Sequence, residues 1–210
     1  HWFHNFTKVS KIGGAGLQRY IMSSTVVQAR NQEDEELQLG PVQAMPPPQA
    51  PVEIHGTKFL QLRVVGASFL LNQIRKMVGL TLLINKGWVP RSEIARALTQ
   101  GERANVPPAP AEGLLLDDLL YDGFNRRFFG KGELGISEEV SFARFDGERE
   151  QFKQERIYPY IARPENQPDQ INHFFENAYE NLVNPTDEEG PMLRTTEAIE
   201  SLRFNAPTEI

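Results

Sequence analysis

Between Ser68 and Gly79 the apolar residues Phe69, Leu70, Leu71, Ile74, Met77 and Val78 are interrupted by Arg75 and Lys76. At about 100° per residue, Leu70, Ile74, Met77 and Thr81 share one stripe, and Leu71, Arg75 and Leu82 lie beside it. The spacing predicts a helix over 68–86, with Ser68 as N-cap and Gly87 as terminator. Arg75 then sits at the edge of the buried stripe. A guanidinium there is costly to leave unpaired, so it takes an anionic partner or reaches out to water. Gly79, one turn later, carries no side chain and leaves room for another backbone or a ligand.

The remaining pattern predicts a mixed chain. Residues 19–27 and 58–65 are rich in β-branched and aromatic side chains and read as strands. A second helix is expected from Arg91, behind Pro90, to Gly101. Residues 105–111 form a stiff proline connector. Leu114 to Tyr121 reads as a buried strand by composition, and 152–161 and 170–182 read as helices. Residues 29–53 join an acidic run to Pro46-Pro47-Pro48, the composition of an exposed insertion loop, and the last 25 or so residues are weakly ordered by the same criterion. The order of elements implies an α+β fold.

Composition narrows the class. The 210 residues contain 40% hydrophobic and 24% charged side chains, as in globular domains, and no apolar run approaches the ~20 residues that span a bilayer. There is no cysteine, hence no disulfide and no thiolate metal site. The net charge of −6 hides segregation: residues 56–132 carry +5 and residues 133–210 carry −10. A basic middle can concentrate a polyanion such as RNA, and random surface asymmetry accounts for it equally well. His1 and His4 have the i, i+3 spacing of a helical metal pair, but no third ligand is near, so no metal is expected.

Four blocks carry a family resemblance: HWFHNFT at 1–7, GASFLLNQIRKMVGL at 66–80, VPPAPAEGLLLDDLLYDGFN at 106–125 and FKQERIYPYI at 152–161. In this order they resemble the HNFHNFT element, the G-x-SF-x-x-HQIRKMVG helix and the GL segment of the TruA-type tRNA pseudouridine synthases, and the fourth resembles an extension of their eukaryotic branch. Asn72 stands where the family usually has histidine, and it can hydrogen-bond but cannot titrate. Trp2 replaces a small polar residue.

The resemblance implies a mostly antiparallel sheet flanked by helices. Residues 1–130 would form the C-terminal half of the catalytic domain and 131–210 an acidic, largely helical extension around it. The implied activity is isomerisation of uridine to pseudouridine in tRNA, without metal or cofactor. Arg75 would pair with the catalytic aspartate of a G-R-T-D-x-G-V-H-A element, which the 210 residues lack, so a missing N-terminal half is expected in cis or in trans and the chain alone is expected to be inactive. Leu114, Asn72 and Gly79 would line the base pocket, and Lys76, Arg126, Arg127, Lys58, His4 and Asn5 would meet RNA. A nuclear or mitochondrial monomer is expected once the protein is complete, with no membrane partner. A different class stays open: an inactive relative kept as an RNA-binding or assembly component of a ribonucleoprotein.

Overall fold

In the computed structural model the described residues are 1–7, 15–27, 52–54, 57–130, 138–163, 168–183, 193–197 and 199–200. Nearly all of the 29–53 insertion and most of the last 25 residues lie outside them. Strands β1 (Ile21–Val27) and β4 (Gln61–Gly66) pair antiparallel, with Ile21 opposite Gly66 and Val27 opposite Gln61. A short hairpin, β2 (Val52–Ile54) and β3 (Thr57–Phe59), forms a separate two-stranded sheet. The strand expected over 58–65 is thus split at Leu60. Tyr20, Met22, Leu60 and Leu62 are exposed around β1 and β4.

Helix α1 spans Gln73–Asn85, five residues later than the expected Ser68 start. Its beginning is fixed by Asn72, whose φ of 63° lies in the left-handed region, and by Gln73, whose Oε1 accepts the Leu70 N–H at 2.8 Å. Its end is the one the sequence suggests. Gly87 at φ 77° donates to Ile84 O (2.9 Å) and Trp88 N donates to Leu83 O (3.1 Å), the paired bonds that close a helix on glycine. The buried face runs through Gln73, Gly79, Leu80 and Leu83, while Thr81 is exposed. The stripe is therefore rotated from the one expected, because the 105–109 segment packs over Gly79.

Short α2 (Glu93–Ala97) follows, reaching only half the length expected. Helix α3 (Asp122–Phe128) precedes a rod in which α4 (Asp146–Phe152), a π-turn (Lys153–Ile157) and α5 (Tyr158–Ile161) run on without a break. Pro159 explains the wide turn: it brings no N–H for the preceding turn and its ring pushes that turn's carbonyls apart. Helix α6 (Pro168–Val183) closes the fold.

One core joins the two ends of the chain. Phe3 and Phe6, Leu80 and Leu83 of α1, Val89, Ala97, Ala104 and Val106 pack with Phe174, Ala178, Leu182 and Val183 of α6, and with Leu193 and Ile199. The spacing of Phe174, Ala178 and Leu182 is that of a helix burying one face. Trp88 stacks edge-on to Phe175 at 5.5 Å between ring centres and lies 5.8 Å from Tyr179. Residues expected to belong to an outer acidic extension thus supply part of the core. Leu114 to Tyr121, expected as a buried strand, forms no strand: Leu114, Leu115, Leu116, Leu119 and Leu120 are 37–75% exposed. The apolar composition shows only that these side chains would gain from cover, and the described residues provide it only in part.

Candidate active site

Arg75 lies half-buried in the first turn of α1. Its Nε donates to Ala109 O at 2.7 Å, and its own carbonyl accepts the Ala109 N–H at 2.9 Å. One terminal nitrogen, Nη1, approaches Asn72 Oδ1 at 3.4 Å. The guanidinium is thus held by its inner nitrogen against the proline connector. Among the described residues Nη2 donates to none, and no carboxylate lies within ion-pair distance. Asn72 reaches the arginine from a left-handed backbone conformation that asparagine tolerates better than most residues. Gly79 sits one turn on, where a Cβ would meet Pro107 O at 2.1 Å. The space left by this glycine is filled by backbone.

The connector leads from Ala109 to Leu114, which is half-exposed and donates its N–H to Ala111 O at 2.9 Å. Beyond it stands a charge cluster that the sequence reading did not identify. Asp117 accepts from Arg63 of β4 through Oδ2 and from Lys153 of the π-turn through Oδ1 at 2.8 Å. Lys153 also pairs with Glu150 at 3.0 Å, and Arg149 bridges Asp118 (2.7 Å) and Asp146 (2.5 Å). Burial alone would push the Asp117 carboxyl up, but the hydrogen bonds and charges of Lys153 and Arg63 outweigh it and hold it below its ordinary value. Burial likewise opposes the Lys153 ammonium, and Asp117 and Glu150 overcome it, so its pKa is raised. A depressed carboxyl stabilises the fold above its unfolded pKa and stops doing so as pH falls through the folded value. The brace is whole at neutral pH, and it is lost in acid as Asp117 takes up a proton and in strong alkali as Lys153 gives one up. The signal for it was the Asp117-Asp118 pair inside an apolar run, whose partners lie 54 and 36 residues from Asp117.

His4 and Asn5 lie inside the fold, at 7% and 8% exposure. Asn5 Nδ2 donates to Ala97 O (3.0 Å) and Glu102 O (2.9 Å), its Oδ1 accepts the Ala104 N–H at 2.9 Å, and His4 Nε2 meets Glu102 O at 2.5 Å. The pair satisfies the backbone of the turn after α2, and neither side chain faces out. Lys76 is half-buried and donates to Asn5 O at 3.3 Å. Lys58 lies in β3 opposite Glu53, its side chain outside the described set. Arg126 and Arg127 are exposed on the last turn of α3, the Arg127 guanidinium 5.0 Å from the Phe128 ring centre. A cavity of about 150 Å³ opens between Lys76, residues 105–108 and α6. Neither Arg75 nor Leu114 lines it, so it is separate from the arginine site.

The sequence profile described as tRNA pseudouridine synthase matches residues 1–122, which contain Arg75, Ala109 and Leu114. The chain belongs to the tRNA pseudouridine synthase family. Human pseudouridylate synthase 1 homolog is 33% identical over 165 residues, covering 79% of this chain and 33% of its own length. tRNA pseudouridine synthase 1 of Kluyveromyces lactis is 31% identical over 184 residues, covering 88% of this chain and 28% of its own. The tRNA pseudouridine(27/28) synthase of Saccharomyces cerevisiae is 30% identical over 175 residues, covering 83% and 39%. The 210 residues thus correspond to about a third of the length of the pseudouridine synthases they match.

Proposed function

We propose that this chain carries the arginine-bearing half of the catalytic domain of an RNA isomerase that converts uridine to pseudouridine in tRNA. The reaction breaks the C1′–N1 bond, turns the uracil and rejoins it through C5. The C5 proton leaves and N1 gains one, so nothing is oxidised or reduced. An aspartate from polypeptide outside these 210 residues, in cis or in trans, acts at the ribose of a uridine drawn out of its stack. Arg75 pairs with that carboxylate through the terminal edge its Ala109 bond leaves free, keeping it ionised and aimed. Leu114 supplies apolar wall, where low dielectric strengthens the pair. The open β1–β4 sheet and the bare leucines at 114–120 are surfaces that the rest of the catalytic domain would cover. The chain alone is then inactive, and the complete protein is a monomer acting in nucleus or mitochondrion.

The observation that carries this reading is the half-buried guanidinium of Arg75, pinned at Nε and facing no described carboxylate. The full gene product, incubated with unmodified tRNA transcripts, should create carbodiimide-dependent reverse-transcription stops at one or a few uridines. If no transcript, and no RNA from cells lacking the gene, gains such a stop, the enzyme reading fails in favour of a non-catalytic RNA-binding role.

Arg126 and Arg127 are the exposed candidates for phosphate contact. Replacing either by alanine should weaken tRNA binding similarly for all sequences and lower the slope of log affinity against log salt by about one. An unchanged slope in a filter-binding salt series would return that arginine to the solvated surface.

A further inference from the structure

From Leu115 to Leu120 no backbone N–H or carbonyl bonds to the backbone of another described residue. The segment is nevertheless placed, and what places it is charge. Asp117 is gripped from one side by Arg63 of the sheet and from the other by Lys153 of the π-turn. Arg149 adds contacts to the Asp117 carbonyl at 3.5 Å and to Asp118 at 2.7 Å. Arg63, Asp117 and Lys153 are 30%, 28% and 13% exposed, so the brace is partly shielded from solvent and salt. Three stretches of chain far apart in sequence meet at one carboxylate, three residues beyond Leu114.

We infer that Asp117 is a positioning residue: by tying Arg63 to Lys153 it fixes the leucine segment, and with it the wall at Leu114, so the α4–α5 rod helps hold the active site in shape. The inference rests on the proposed role of Leu114 in the uracil pocket. It gives the extension a task within turnover, beyond packing. A misplaced wall loosens the reacting geometry more than it loosens the grip on tRNA, which is spread over many phosphates.

The full gene product with Asp117→Asn should turn over about tenfold more slowly with KM within about twofold, because positioning is lost and binding is not. Asp117→Glu should recover part of the rate, and Lys153→Gln should resemble Asp117→Asn, with the double variant adding little further. Chymotryptic nicking between Leu114 and Tyr121 should be about tenfold faster in Asp117→Asn, with cleavage elsewhere unchanged, as local loosening requires. Unchanged kcat in both single variants, or unchanged nicking, overturns the inference and leaves the proposed function standing. An unsubstituted protein that makes no pseudouridine overturns the proposed function, and the nicking rate then still decides whether Asp117 orders the segment.

Discussion

Arg75→Ala in the full gene product is expected to cut single-turnover pseudouridine formation about a thousandfold while changing tRNA affinity less than about threefold. The first figure is typical for removing one preorganised electrostatic group from a dry site. The second follows because one cation among many contributes little to counterion release. Loss of folding does not explain such a fall. The substitution deletes a hydrogen bond from Nε to Ala109 O, worth about 1 kcal/mol, and the reciprocal backbone bond between residues 75 and 109 survives. Arg75→Lys separates charge from geometry. A lysine keeps the cation but cannot bond Ala109 O and present a second, fixed edge to a carboxylate, so it should recover only part of the rate. Near-normal turnover in Arg75→Ala would remove Arg75 from the mechanism.

Helical periodicity put Arg75 at the edge of an apolar stripe, and the resemblance carried by the four motif blocks gave it a role. Gly87 as the stop of α1 was equally plain, because a positive-φ residue one step past the last turn is what glycine does best. Burial was harder to read. The choice between the Leu70–Ile74–Met77–Thr81 face and the Gln73–Leu80–Leu83 face depends on what packs on the helix, and that is a proline segment more than 20 residues away. For the same reason His4 and Asn5 looked like ligand-facing groups. Only the fold shows that the Asn5 amide and His4 Nε2 bond to the turn at 97–104. Leu114 to Leu120 shows the converse error, an apolar run assigned to an interior that these residues do not build. The Asp117 brace joins β4 to the π-turn through charges whose sequence separation hides them from any periodicity.

Gly79→Ala is expected to lower stability by about 3 kcal/mol or more, the opposite of what helix propensity predicts. By propensity alone, alanine in mid-helix gains about 1 kcal/mol over glycine. Here the added Cβ would stand 2.1 Å from Pro107 O and 3.2 Å from the Ala109 nitrogen, and both are backbone. The carbonyl has little freedom to retreat. Ala109, two residues on, is bound in both directions to Arg75, at 2.9 Å and 2.7 Å, so the clash is relieved only by lifting 107–109 off α1. That movement releases the anchor of the arginine and exposes Val106 and Ala109, which are 0% and 4% accessible. Stability and turnover should therefore fall together, unlike Arg75→Ala, where turnover falls nearly alone. Gly123→Ala is the matched control: it also lies within a helix, α3, but its Cβ would meet nothing within 4 Å, so alanine there should be neutral or slightly stabilising. Urea unfolding of both variants decides it. A Gly79→Ala protein as stable as Gly123→Ala would mean that the proline connector does not lie on α1, and the placement of Ala109 on Arg75 would fall with it.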